Sequence, residues 1–187
     1  MYFSSVSGGP LISTERLNEV SLDKEAETVR VGPGNRWEDV IGALDGTGYT
    51  VPGGRVGHVG VGGLLLGNGL SYLSAQYGWA ANSVVEYELV LPNGTAVTAS
   101  ATSHPDLFIA LKGGGNNFGI VTSFLMRAYP QSDEIWGGTM IFLHSDETAE
   151  ELLAALRDFA EDSKDEKAAV IPVGAMVPDL SLDLWIL

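Results

Sequence analysis

Cysteine is absent from this chain. Its absence excludes disulfides, thiolate metal sites and a cysteine nucleophile. Basic residues are scarce: 10 Lys and Arg stand against 24 Asp and Glu, a net charge of −14. Nucleic acid is therefore not an expected partner, because phosphate binding needs clustered cations. An anionic membrane surface is disfavoured for the same reason. The acid excess reads as a solvated face. No apolar run approaches the roughly 20 residues of a membrane-spanning helix. The first twenty residues, MYFSSVSGGPLISTERLNEV, lack the basic start and long apolar run of a secretory leader. His58, His104 and His144 are scattered without ligand spacing, so no metal is expected. No Gly-Lys-Ser/Thr phosphate loop and no Gly-x-Ser-x-Gly nucleophile elbow occur. Gly60-Val61-Gly62-Gly63 lacks the third glycine of a dinucleotide fingerprint, and no ribose-binding acid accompanies it.

Glycine, by contrast, is abundant and concentrated. Eight of the seventeen residues from 53 to 69 are glycine, within VPGGRVGHVGVGGLLLGNG, and a second cluster lies in KGGGNNFGIVT at 112–122. Glycine inside an element costs roughly 0.5–1 kcal/mol relative to alanine. So many together imply positive φ, close backbone packing, or main chain laid against a flat or charged ligand. A cofactor-binding surface is the leading reading. A turn or tight packing remains the alternative for each glycine taken singly.

The rest of the chain supports an α+β fold. Residues 28–32 alternate and end in Gly-Pro-Gly, which reads as a strand entering a turn. Asn35 is placed to cap a helix, with Glu38 in capping-box position and Trp37, Val40, Ile41 and Leu44 as its apolar stripe. Residues 64–77 read as two short helical pieces around Gly67-Asn68-Gly69. Residues 84–91 and 95–101 flank Pro92-Asn93-Gly94, a strong hairpin signal that also accounts for the Asn93-Gly94-Thr95 sequon. His104-Pro105-Asp106 opens a short helix. Strands are expected at 119–128, 135–143 and within 170–187, with a boundary near 130–134. Thr148 reads as the cap of an amphipathic helix, with Glu151 in capping-box position.

The ordered pieces ERLNEVSLD, VRVGPGNRWEDV, PGGRVGHVGVGGLLLGNGLSYLSAQYGWAANSVVEYELVLPNGT and HPDLFIALKGGGNNFGIVTSF resemble the FAD-linked oxidases of the berberine-bridge-enzyme type. These carry the FAD-binding domain also found in vanillyl-alcohol oxidase and p-cresol methylhydroxylase (PCMH). The resemblance runs from about Leu11 to Ala128. It implies the larger subdomain of a PCMH-type FAD-binding domain over residues 1–130, and the beginning of an α/β substrate domain over 131–187. It also implies roles for particular residues. Gly53, Gly54, Val56, Gly57, His58, Val59, Gly60, Gly62 and Gly63 would bring backbone to the isoalloxazine edge and the pyrophosphate. Gly67, Asn68, Gly69, Leu70 and Ser71 would turn the chain beneath the cofactor. Tyr77, Gly78, Asn82 and Val84 would lie near the flavin ring or ribityl chain, and Gly119, Ile120 and Val121 near the adenine or ribityl end. His58 also reads as a plain loop residue, and Tyr77 as a core aromatic with a wet hydroxyl.

Three departures qualify the resemblance. Many members attach FAD through a cysteine where this chain has Val56, so FAD is expected to be held non-covalently. Asn82 stands where other members carry Asp. The family's N-terminal Arg-x-Gly-Gly-His segment has no counterpart before Leu11, and the chain stops inside what resembles the substrate domain. The expectation is thus a chain truncated at both ends, with no assignable catalytic residue. The implied activity is hydride transfer from a small organic substrate to flavin, with molecular oxygen as the acceptor. A non-catalytic remnant, or a flavin-binding module without turnover, are the other expectations.

Overall fold

The computed structural model describes residues 8–131, 135–177 and 182–186. These fall into two compact units that divide between residues 133 and 134. Both combine helices with antiparallel strands, an α+β architecture.

The first unit is built on a five-stranded antiparallel sheet of order β1-β2-β6-β4-β5. Its strands are β1 (Val20–Asp23), β2 (Thr28–Val31), β4 (Val84–Val90), β5 (Ala96–Ser100) and β6 (Ile120–Arg127). The period-two pattern sorts side chains by face. Val29 and Val31 of β2, Tyr87 and Leu89 of β4, Ala99 of β5, and Phe124 and Met126 of β6 are all buried. Val85 and Thr122 are extra residues in the β4–β6 ladder, one on each strand. Each is a bulge that shifts the pairing, and together they restore it, so both strands keep their apolar set inward. On the other face, Arg30 Nη1 donates to Glu88 Oε1 at 2.8 Å and to Ser123 Oγ at 3.0 Å.

Three helices complete the core: α1 (Trp37–Leu44), α2 (Val61–Leu66) and α4 (Pro105–Leu111). Trp37, Val40, Leu44, Val61, Leu65 and Leu111 join the buried sheet residues in one cluster. Ile41, expected in the α1 stripe, is instead exposed. The cap of α1 also differs from expectation. Arg36 occupies it, its amide donating to Asp39 Oδ2 at 2.8 Å. Asn35 is buried one residue earlier, and its Nδ2 donates to the carbonyls of Glu19 and Gly32, both at 3.1 Å. Burial gives that amide one local acceptor, Gly32, and one sixteen residues away, Glu19, so it anchors the approach to the helix rather than the helix itself. A short β3 (Tyr49–Thr50) pairs with β7 (Tyr129–Pro130), and α3 (Ser74–Tyr77) leads into a 3-10 turn at Ala80–Ser83.

The second unit holds β8 (Ile141–Leu143), α5 (Asp146–Asp162), β9 (Val173–Val177) and β10 (Leu182–Ile186), with strand order β8-β10-β9. The strand expected over 135–143 occupies only its last three residues. The cap of α5 is Ser145, whose Oγ accepts from the Thr148 amide at 3.0 Å. Thr148 lies inside the helix. Residues 132–134 of the expected boundary, and Leu187, lie outside the described residues.

Candidate cofactor-binding surface

The glycines of the first cluster divide into two groups. Gly53 and Gly54 lie flat on the Trp37 indole. A side-chain carbon at Gly53 would stand 2.5 Å from Trp37 Cε3, and one at Gly54 would overlap the same ring at Cδ1. Gly57 meets Glu38, whose Cβ would be 3.1 Å away. The backbone of this stretch closes over the start of α1, where the first-turn amides lack intrahelical partners. Trp37 N donates to the Val59 carbonyl and Glu38 N to that of Gly57, each at 3.1 Å. Packing therefore accounts for these three glycines.

Gly60 and Gly63 are different. A Cβ at either would have no atom within 4 Å. Gly60 has ordinary extended angles, φ −70° and ψ 142°, and Gly63 lies inside α2, where glycine costs about 1 kcal/mol relative to alanine. Gly60 is the N-cap of α2, where glycine is tolerated well, but neither a positive φ nor a protein neighbour requires glycine at either position. Both present bare backbone to the surface. Nearby in sequence, the apolar side chains of Val56, Val59, Leu70, Tyr72 and Trp79 are exposed. Exposed glycine backbone and exposed apolar groups on one stretch of chain suit a flat, partly polar ligand. Gly62 makes only ordinary contact with Pro33.

The second cluster is tied to the first through the Gly67-Asn68-Gly69 turn. Asn68 has φ 72°. Its carbonyl accepts from Ala81 N and that of Gly69 from Ala80 N, both at 2.9 Å. From the other side, Gly115 N donates to the Leu66 carbonyl at 2.9 Å. Gly113, at φ +102°, sits against the Asn68 side chain, whose Oδ1 would be 2.6 Å from an added Cβ. Lys112 Nζ donates to the Val84 carbonyl at 3.0 Å. It also lies 4.4 Å from the Phe108 ring centroid. Burial lowers its pKa from the usual lysine value.

The remaining expected residues take defined places. Ser71 Oγ accepts from Gly53 N at 3.1 Å and Leu73 N at 3.2 Å, so it serves the fold of the loop. Tyr77 stacks on Tyr129 with centroids 3.7 Å apart. Tyr129 in turn lies 3.2 Å from Ser83 Oγ through its hydroxyl. Gly78 packs against Asn82, whose Nδ2 would be 2.8 Å from an added Cβ, and Val84 is buried. Gly119 approaches the Val90 carbonyl, 2.6 Å from an added Cβ. Ile120 is partly exposed, while the Val121 side chain belongs to the core, leaving only its backbone for a ligand. His58 is largely exposed, with Nδ1 3.0 Å from Glu38 Oε1. The sequence reading placed Asn68 in the turn beneath the cofactor but missed Lys112, Trp37 and Tyr129 as site builders, and none of those three carried a local signal. Among the described residues, no three His, Cys, Asp or Glu side chains gather to hold a metal. No helix among the described residues is long and apolar enough to cross a membrane.

The family described as the FAD binding domain matches residues 2–100. An uncharacterized FAD-linked oxidoreductase of Arthroderma benhamiae is 50% identical over 184 residues, covering 98% of this chain and 36% of that protein. A bifunctional solanapyrone synthase of Alternaria solani is 43% identical over 179 residues, covering 95% of this chain and 34% of its own length. Among solved structures, 6-hydroxy-D-nicotine oxidase of Arthrobacter nicotinovorans superposes with a TM-score of 0.86 at 25% identity, covering 98% of this chain and 40% of that one. Berberine bridge enzyme superposes with a TM-score of 0.80 at 25% identity, covering 96% and 36%. The chain spans about a third of the length of the curated relatives it matches.

Proposed function

Because the chain belongs to the FAD binding domain family, we propose that it forms the larger FAD-holding part of an oxidoreductase acting on a small organic molecule. The substrate loses a hydride and a proton, and oxygen accepts the electrons and leaves as hydrogen peroxide. When bound, FAD supplies the redox chemistry, and the protein supplies orientation and electrostatics. The relatives and the solved neighbours support the oxidoreductase class, and oxidases among the neighbours favour oxygen as acceptor.

The observation that carries the reading is the open space at Gly60 and Gly63, where an added Cβ would meet no atom within 4 Å. Those two positions, with Val56 and Val59 beside them, would meet the isoalloxazine system. Gly53, Gly54, Gly57, Gly62, Gly67, Gly69 and Ser71 would act from beneath, by shaping the loop. Tyr77, Gly78, Asn82 and Val84 would flank the ring or ribityl chain, and the main chain of Gly119, Ile120 and Val121 would serve the far end. His58, exposed and paired with Glu38, would sit at the rim. Val56 has no nucleophile and the chain has no cysteine, so FAD would be held without a cysteinyl bond. Residues from 131 onward would begin the part that carries substrate.

Titration of the chain with FAD, followed by quenching of flavin fluorescence, tests the site. Saturable binding that Gly60→Leu removes, with the melting temperature unchanged, supports it. Binding indifferent to that substitution refutes it. Photoreduction of the complex followed by admission of air tests the acceptor. Reoxidation within seconds, with one equivalent of peroxide, supports oxygen; reoxidation over many minutes points to another acceptor.

A further inference from the structure

Lys112 is an anomaly in an acidic chain. With 24 Asp and Glu available, a half-buried ammonium is expected to have a carboxylate partner. Among the described residues, none of the ion pairs involves Lys112. Its polar contact is a neutral carbonyl, that of Val84, and its other contact is the face of Phe108. A carbonyl and a ring face stabilise a cation only partially, and partial burial already weighs against its charge.

Its position indicates what is missing. Lys112 heads the second glycine cluster and closes α4 as its C-cap. The next residue, Gly113, packs on Asn68 of the first cluster, and Val84 follows directly on the Ala80–Ser83 turn that Asn68 and Gly69 hold. The cation therefore stands where the two clusters and the start of β4 converge. Resting on the FAD reading above, we propose that Lys112 is the counter-charge for an anionic group of bound FAD. Two groups of FAD have that chemistry: the pyrophosphate, and the oxygen-bearing edge of the ring that becomes negative on reduction. A fixed cation in a partly desolvated site acts on either more strongly than one in water.

The test compares wild type, Lys112→Gln and Lys112→Arg, each checked for fold by circular dichroism. FAD and riboflavin are the probes for binding, and sulfite, which forms a negatively charged flavin adduct and bleaches the visible band, is the probe for ring charge. If the pyrophosphate is the target, Lys112→Gln weakens FAD binding about tenfold, the loss of one charge-assisted hydrogen bond, and leaves riboflavin binding unchanged. If the ring is the target, FAD affinity holds and the sulfite adduct weakens by a similar factor. In both cases Lys112→Arg restores most of the effect. A purely structural clamp on Val84 would weaken FAD and riboflavin alike without rescue, and that result, or no change in any readout, overturns the proposal. Wild type that binds no FAD removes the reading beneath it, and the proposal with it. Should Lys112→Gln not fold, the wild-type chain with carbon-labelled lysine answers the question. It has only Lys24, Lys112, Lys164 and Lys167. The Lys112 resonance, assigned with Lys112→Arg, should move on saturation with FAD while the others stay; an unmoved Lys112 overturns the proposal.

Discussion

Gly53 and Gly63 are the same residue type under opposite demands. Gly53 is buried against Trp37, so Gly53→Ala drives a methyl into the indole. Overpacking of this kind costs about 1–3 kcal/mol, to be read as a lowered denaturant midpoint. Gly63 is an open helical position, so Gly63→Ala is expected to stabilise the ligand-free chain by up to about 1 kcal/mol. The same substitution should weaken FAD binding several-fold. Stability and affinity moving in opposite directions would mark Gly63 as reserved for the ligand; both unchanged would mark it as ordinary surface. The density of glycine was legible in the sequence, because it exceeds what turns alone require. Which glycines stand open and which face the indole was not. That depends on where Trp37 lands, sixteen residues before Gly53, and a tertiary contact leaves no local pattern.

At the level of elements, most helices and strands were legible because periodicity and turn residues agree. The Asn93-Gly94 hairpin is one case, with Gly94 at φ +84° between β4 and β5. Caps were less so. Ser145 and Thr148 lie three residues apart, and each precedes a plausible first turn. The apolar stripe does not choose between them. The structure chooses Ser145, so Ser145→Ala should destabilise α5 by about 1 kcal/mol, seen as faster amide exchange in its first turn. At α1 the misplaced cap hides a stronger contact. Asn35→Ala removes two hydrogen bonds from a buried site, although the Glu19 and Gly32 carbonyls keep the amides of Gly32 and Asn35 as donors, and should cost about 1–3 kcal/mol in chemical denaturation. That exceeds the loss of a simple cap. β1 went unread because Val20–Asp23 is short and one of its four residues is charged. It exists because β2 offers an edge to pair with.

For the whole molecule, net charge and site charge pull apart. A chain at −14 repels an anionic dinucleotide at long range, and salt screens that repulsion within about 10 Å at 0.1 M. The association rate of FAD should therefore rise as salt is added, as followed by stopped-flow fluorescence; a falling rate would mean that a local cationic field governs the encounter. The site itself was half legible. The sequence placed the two glycine clusters in one surface by resemblance. The junction between them came only with the tertiary fold, because Gly113 meets Asn68 across about 45 positions and Lys112 meets Val84 across 28. The most direct measurement is the visible spectrum of the chain after incubation with FAD and removal of the excess, repeated on the supernatant after acid precipitation. Flavin bands that stay with the folded protein and pass wholly into the acid supernatant are the expected result, those of a cofactor held by backbone and charge alone. A colourless protein at saturating FAD, or flavin retained in the pellet, would contradict it.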